Sequence, residues 1–255
     1  MHILHHIMTE KPLNAMPRFF ITTSPIPYTD YVLPEAASHH AVRVLRLAAG
    51  DMVAVFDGSG CEWPAQIVRV EKHGVILQIG DAITPHRESA LAVTLIQGIS
   101  SGERMDFTLQ KAVELGVQRI QPVACVRSVV RLTGERAQKR QQHWQQLVIS
   151  ACEQCGRNVV PEVLPIVAFN EGVHHADAGL RLLLDPVAKL TLRELPPPNA
   201  GVCLLAGPEG GFDPGEMAQA FQVGFVGVRL GPRVLRTETA ALAAVSAMQM
   251  LWGDF

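Results

Sequence analysis

Ala206-Gly-Pro-Glu-Gly-Gly-Phe-Asp-Pro-Gly-Glu216 and Leu230-Gly-Pro-Arg-Val-Leu-Arg-Thr-Glu-Thr-Ala240 are two glycine-bearing stretches, each placed after an apolar run and before a helix-like one. The run before the first, Val202-Cys-Leu-Leu-Ala206, has the length and apolarity of a strand covered on both faces of a sheet. Asp213 has the character of an N-cap, with Pro214 at N1 and Glu216 at N3, so the chain turns from strand to helix within a few residues. Gly207, Gly210 and Gly211 can offer backbone N–H groups to a ligand with no Cβ in the way. The second stretch repeats the plan. Val226-Gly-Val-Arg-Leu230 reads as a strand, and an alanine-rich helix, capped by Thr237 or Thr239, runs to about Trp252. Either loop alone would also serve as a plain tight turn; the pair points to an enzyme with an α/β sheet. Neither has the Gly-x-Gly-x-x-Gly spacing of a dinucleotide site, and no Gly-Lys-Ser/Thr follows, so nicotinamide and ATP are poorly supported.

Upstream the alternation continues. Leu91 to Gln97 reads as a strand, a helix is expected near Glu103 to Leu115 with Gly116 as its stop, and Arg119 to Ala124 resumes a strand. A long helix with Trp144, Leu147, Val148 and Ala151 on compatible spacings follows, then strands near Val163 to Val167 and Leu180 to Leu184. Such alternation argues for a mostly parallel sheet covered on both faces. Residues 18–84 read differently, as short strands (Phe19–Thr22, Met52–Phe56, Ala65–Val70, Val75–Ile79) parted by the turns Asp57-Gly-Ser-Gly60 and Lys72-His-Gly74. One helix, about Glu35 to Leu47, interrupts them, with Pro34 near its start and Gly50 past its end. This is the pattern of a small antiparallel barrel. The expected division is a leader without fixed structure over 1–16, the barrel over 17–87 and the α/β domain over 88–255.

Apolar residues make up 48% of the 255 and charged residues 18%, a globular balance. No stretch approaches the roughly 18 apolar residues of a membrane span, and the first residues lack a signal core, so a cytoplasmic protein is expected. His2, His5 and His6 could ligate a metal, but no second ligand cluster accompanies them. Cys61, Cys125, Cys152, Cys155 and Cys203 are odd in number and scattered, which argues against a disulfide framework. Cys152-Glu-Gln-Cys155 has the spacing of a redox or zinc pair, yet no second pair completes a tetrahedral site, and no metal is expected. The net charge of −2 hides an uneven distribution, since residues 86–160 carry 10 basic and 6 acidic side chains. Arg127, Arg131, Arg136, Lys139 and Arg140 are close enough in sequence to meet several phosphates if they share a face; a solvated helix with its loop is the plain alternative.

The ordered set His40-x-x-Arg43-Val-Leu-Arg46, Gly102-Glu-Arg-Met-Asp-Phe-Thr-Leu-Gln-Lys-Ala-Val-Glu-Leu-Gly116, Ala151-Cys-Glu-Gln-Cys-Gly-Arg-Asn158, Gly207-Pro-Glu-Gly-Gly211 and Leu230-Gly-Pro-Arg-Val-Leu-Arg-Thr-Glu-Thr239 resembles the RsmE-type methyltransferases of the SPOUT superfamily. The resemblance covers most of the chain from Arg18 onward. It implies a PUA-like β-barrel followed by a SPOUT α/β domain, a mostly parallel sheet whose C-terminal part is threaded as a deep trefoil knot. It implies S-adenosyl-L-methionine as cofactor, a homodimer, and methylation of N3 of a uridine in 16S ribosomal RNA, presented as RNA or as an assembled small subunit. The implied cofactor loops are Leu184, Asp185 and Pro186; Ala206, Gly207, Pro208, Glu209, Gly210 and Gly211; and Leu230, Gly231, Val234, Leu235, Arg236 and Thr237.

Uridine N3 carries a proton at neutral pH, so methyl transfer needs its loss and donors to the oxygens that take up the charge. Arg236 and Arg157 are expected to stabilise that anion or position a phosphate. Glu209 or Glu238 would remove the proton or fix an arginine, unless both merely cap turns. Arg18, His40, Arg43, Arg46, Lys111, Arg127, Arg131 and Arg157 are the candidate RNA contacts. Two other functions fit part of the pattern: ribose 2′-O-methylation by a SPOUT relative, and a non-catalytic RNA-binding assembly factor.

Overall fold

The structure, a computed structural model, describes residues 16–72, 74–174 and 179–255. The leader and its three histidines lie outside the described residues, except Met16, which is buried. The chain divides into two compact units, the first ending at Glu88 and also holding Cys152–Val160, the second comprising Ser89–Ala151 and Pro161–Phe255.

In the first unit, β1 (Arg18–Phe20), β2 (Asp30–Val32), β3 (Met52–Phe56), β4 (Glu62–Glu71) and β5 (Gly74–Ile79) form one sheet in the order β1-β3-β4-β5-β2. The strands from β3 onward match the sequence reading closely, because their alternate residues enter one core. Phe19, Val53, Val55, Trp63, Ala65, Ile67, Val75, Leu77 and Ile79 pack there. Two features differ from the antiparallel expectation. β1 pairs parallel with β3, so the sheet is mixed, and β2 has only three residues, too few for a periodic signal. The expected helix at 35–47 is a short α1 (Glu35–His39) continued by a π-helical turn, His40–Val44, after which Arg46 takes a left-handed backbone (φ 57°). Ser38 ties α1 to the sheet, donating to Leu33 O (2.8 Å) while accepting from Val75 N–H (3.1 Å).

Residues 152–160, which the sequence reading left in the α/β domain, join this unit through a polar core. Glu62, fully buried at 0% exposure, receives Arg18 and, at 2.9 Å, Arg87. Arg18 also donates to Asn158 Oδ1 (2.5 Å) and lies 4.8 Å from the centroid of the Phe56 ring. Arg87 donates to Gly156 O (2.9 Å), Arg157 Nε to Glu88 Oε2 (2.8 Å), and Phe20 N–H to Glu153 Oε1 (2.9 Å).

The second unit is a parallel sheet. β6 (Val93–Gly98), β7 (Arg119–Ala124), β8 (Glu162–Val163), β9 (Val167–Ala168), β10 (Leu180–Leu184), β11 (Leu190–Thr191), β12 (Val202–Ala206) and β13 (Val226–Arg229) take the order β11-β13-β10-β12-β6-β7-β8, with β9 also on β7. All the pairings are parallel, and every residue of β12 is buried, as the uninterrupted apolar run required. The strand expected at 163–167 is two short pieces, with Pro165 between them unable to donate to a ladder. The helices are α2 (Gly102–Glu114), α3 (Gly134–Cys155), α4 (Phe169–His174), α5 (Pro214–Gln222) and α6 (Thr237–Trp252). α5 starts as its sequence specifies, with Asp213 and Glu216 in a reciprocal capping box and Pro214 in the first turn. α6 packs on α2 and buries Ala241, Ala244, Val245 and Met248, and the buried Gln249 accepts from Ser89 Oγ (2.8 Å) and donates to Leu115 O (2.9 Å).

All five cysteines are free, and burial pushes the thiols of Cys125, Cys152 and Cys203 up to about 12. They pack as small apolar side chains, with their thiols protonated at neutral pH.

Burial alone would raise the Glu62 carboxyl, but the hydrogen bonds and charges of Arg18 and Arg87 outweigh it and hold the group low. A carboxyl lowered in the folded state adds stability above its unfolded range and loses it as pH falls through the folded value. Glu62→Ala is therefore expected to cost about 3 kcal/mol at neutral pH by stranding Arg18 in the core. Chemical denaturation of both proteins checks this: the gap should narrow as pH drops below the usual carboxylate range, and equal midpoints at neutral pH would show that the ion pairs add nothing.

Candidate functional site

β12, β10 and β13 are adjacent and parallel, so their carboxyl ends share one edge. Open α/β sheets bind ligands just outside such ends, where chain exits diverge and leave a crevice. A cavity of about 410 Å³ lies there. The segments leaving the strands make its wall: Leu184, Asp185 and Pro186 after β10, Ala206 to Glu209 and Gly211 after β12, and Leu230, Gly231 and Val234 to Thr237 after β13.

The two glycine loops are bonded to each other. Thr237, the first residue of α6, donates through Oγ1 to Gly207 O (2.5 Å). Gln97 at the end of β6, 0% exposed, donates from Nε2 to Thr237 Oγ1 (3.2 Å), Gly207 O (3.3 Å) and Gly98 O (3.0 Å). Gly98 lets the first loop come this close, since a Cβ there would lie 2.5 Å from Pro208 Cδ. Gly231 adopts φ 103°, a turn that favours glycine.

Glu209 is the electrostatic hub of the wall. Its Oε1 accepts from Ser101 N–H (2.8 Å), Ser101 Oγ (2.7 Å) and Arg104 Nη1 (3.2 Å). Burial pushes its carboxyl up, but these bonds outweigh burial and bring it down to about 2. So low a carboxyl is a poor proton acceptor at neutral pH. Of the two roles considered for Glu209, the geometry fits fixing an arginine, and that arginine is Arg104. The second carboxylate oxygens of Glu209 and of Glu238 are both buried with no hydrogen-bond partner. Both residues line the cavity.

Most of the residues singled out in sequence meet here. Arg236, Glu209 and Glu238 line the cavity with the loop residues; Gly210 does not. It faces Arg127 instead, where a Cβ would lie 2.9 Å from the Arg127 Cβ. Arg157 is not on the wall: it is 4% exposed and bonded to Glu88 in the first unit. A role for Arg157 in stabilising the anion or contacting RNA, and one for Arg18 (8% exposed) in contacting RNA, are not supported, because both guanidiniums are buried and paired, Arg18 with the buried Glu62 and Arg157 with the half-buried Glu88. Lys111 pairs with Glu114 at 2.7 Å on α2. Arg127 and Arg131 are exposed on the loop after β7, and His40, Arg43 and Arg46 are exposed on the first unit. Sequence reasoning missed Gln97 and Arg104 as members of the site. Arg104 belongs to the quoted motif at 102–116, but its partner lies 105 residues away.

A family model described as an RNA methyltransferase domain matches residues 87–249, and one described as an RNA methyltransferase PUA domain matches 33–80. The ribosomal RNA small subunit methyltransferase E of Buchnera aphidicola is 32% identical over 243 residues, covering 95% of this chain and 96% of the relative. The crystal structure of the same-named protein from Neisseria gonorrhoeae, bound to S-adenosyl methionine, is 45% identical with a TM-score of 0.88 and covers 94% of this chain and 99% of its own. A Legionella pneumophila structure in complex with SAM is 39% identical, with a TM-score of 0.91 over 94% of this chain and 99% of that one. A chain matched along nearly its whole length, with a cavity at the carboxyl ends of its central strands, belongs to the RNA methyltransferase family of the ribosomal RNA small subunit methyltransferase E type.

Proposed function

We propose that this protein methylates N3 of a uridine in 16S ribosomal RNA, using S-adenosyl-L-methionine bound in the cavity of the second unit. The observation that carries this reading is the cavity itself, walled by the glycine loops 206–211 and 230–237 in a chain of this family. Its residues suit the cofactor. About 410 Å³ falls within the range of small-molecule sites. Leu184, Pro186 and Leu235 offer apolar surface for an adenine, and the carboxylate residues Asp185, Glu209 and Glu238 on the wall suit a ligand rich in hydroxyl, amino and ammonium donors.

The cofactor supplies an electrophilic methyl group on a sulfonium. The chain supplies alignment and charge. Thr237 and Gln97 hold the two loops at fixed separation, so the cavity is formed before ligand arrives. Arg236, exposed at the wall and at the N-cap of α6, can donate to the oxygen that gains charge as N3 loses its proton. The helix N-terminus adds positive potential at the same place. Glu238, in the first turn of α6, is the remaining carboxylate on the wall besides Asp185 and the committed Glu209, and we assign it the handling of that proton.

Each unit offers exposed side chains for RNA: His40, Arg43 and Arg46 on the first, Arg127 and Arg131 on the second. A PUA-like domain in the first unit, a trefoil-knotted path through β10 to α6 and a homodimer complete the proposal. Exposed Phe107 on α2 and Met250 and Leu251 on α6 support the dimer, since these two helices pack together and leave apolar side chains in water. No helix of the described residues is long and apolar enough to cross a membrane, and a ribosomal substrate favours the cytoplasm.

Incubation of the purified protein with labelled cofactor and small subunits lacking the modification should place label on the base of a uridine; label on ribose, or none, would overturn the reading. Thr237→Val removes the bond to Gly207 O and is expected to weaken cofactor binding by about tenfold, measured by calorimetry. Arg43→Ala with Arg46→Ala should weaken RNA binding and reduce its salt slope by about two while leaving cofactor affinity intact.

A further inference from the structure

α2 begins in an unusual way. Its N-cap, Ser101, makes no capping bond with its own side chain. Its N–H and Oγ both donate outward, at 2.8 and 2.7 Å, to the Glu209 carboxylate of the cavity loop. A negative group at a helix N-terminus is favourable, so Glu209 serves as a cap supplied by a distant segment. The same oxygen takes Arg104 Nη1 at 3.2 Å, from the third residue of the helix. One acceptor thus fixes the start of α2, the arginine and the loop together. The Glu209 side chain is 18% exposed and that of Arg104 45%, so the anchor sits inside and the guanidinium reaches out along the wall.

We propose that Arg104, oriented by Glu209 as its positioning residue, receives an anionic oxygen of the RNA substrate at the cavity. This rests on the methyl-transfer reading above and adds to it a cation from a different element, since Arg229, Arg233 and Arg236 all belong to β13 or to the loop after it. The bond to Glu209 occupies one amine, and a guanidinium has further donors in a planar fork for a second acceptor. An arginine already held in place loses little freedom on meeting its target, which is what a preorganised donor requires. The oxygen is either a uridine carbonyl oxygen that gains charge when N3 is deprotonated or a neighbouring phosphate. The shared chemistry is an anionic oxygen at the cavity mouth.

The test uses full-length wild type, Arg104→Ala, Arg104→Lys and Glu209→Gln with small subunits lacking the modification. Wild type must bind the cofactor and transfer label to uridine; if it does not, the underlying reading fails whatever the variants do. Arg104→Ala is expected to lose about 100-fold in kcat/KM while its cofactor affinity stays within about threefold of wild type. Low guanidinium chloride, against matched sodium chloride, should restore part of its turnover. Arg104→Lys keeps the charge but not the fork and should fall between the two. Glu209→Gln should lose about tenfold and gain nothing from guanidinium, because its arginine is still present. A loss confined to kcat identifies the uridine oxygen, and a raised KM with a salt slope smaller by about one identifies a phosphate; both uphold the proposal. Turnover of Arg104→Ala within about twofold of wild type, or a loss of activity that follows loss of cofactor affinity and shows no guanidinium rescue, would overturn it.

Discussion

Three neighbouring parallel strands that stop at one edge impose the constraint on which the second unit depends. Each chain exit must turn sharply away from a sheet covered on both faces, and the exits must not fill the crevice they create. The sequence meets this with glycine at Gly98, Gly207, Gly211 and Gly231, and then closes the loops with side chains that bond backbone carbonyls. Gln97 and Thr237 matter because Gly207 O would otherwise be a polar group without a partner beside an apolar sheet. The cavity is thus a by-product of satisfying the strand ends. Its chemistry comes from which side chains were placed along them.

The first unit is organised around a different interaction, a buried carboxylate shared by two arginines. Glu62 sits on β4, Arg18 on β1 and Arg87 near the end of the unit's first segment, so the ion pairs join the first strand, the middle of the sheet and the segment that follows it. Through Asn158 and Gly156 the same network takes in residues 152–160. Such a network is poorly replaceable piece by piece, because removing one member leaves the others charged and dry.

The elements whose cause is local were legible in the sequence. The capping box at Asp213 and Glu216, the apolar run of β12 and the short apolar runs of β3 and β5 between turn signals carry their reasons within a few residues. The cavity loops were legible for the same reason, since glycine after a strand and before a helix is a local pattern. What stayed hidden depends on partners far along the chain. An arginine reads the same whether it will face a phosphate or a buried glutamate, so Arg18 and Arg157 looked like RNA contacts until Glu62 and Glu88 were placed beside them. Arg104 was passed over for the converse reason. The parallel pairing of β1 with β3 is a matter of how the chain returns, and a run of three residues says nothing of that.

The buried cysteines have a practical meaning. Cys152 lies in the first unit and Cys203 in β12 of the second, and both thiols are held protonated and away from solvent. An alkylating reagent can reach either one only when its surroundings open, so the labelling rate at each thiol counts openings of that region. The protein thereby carries two native clocks, one in each unit, that report separately on how each half breathes without any probe being introduced.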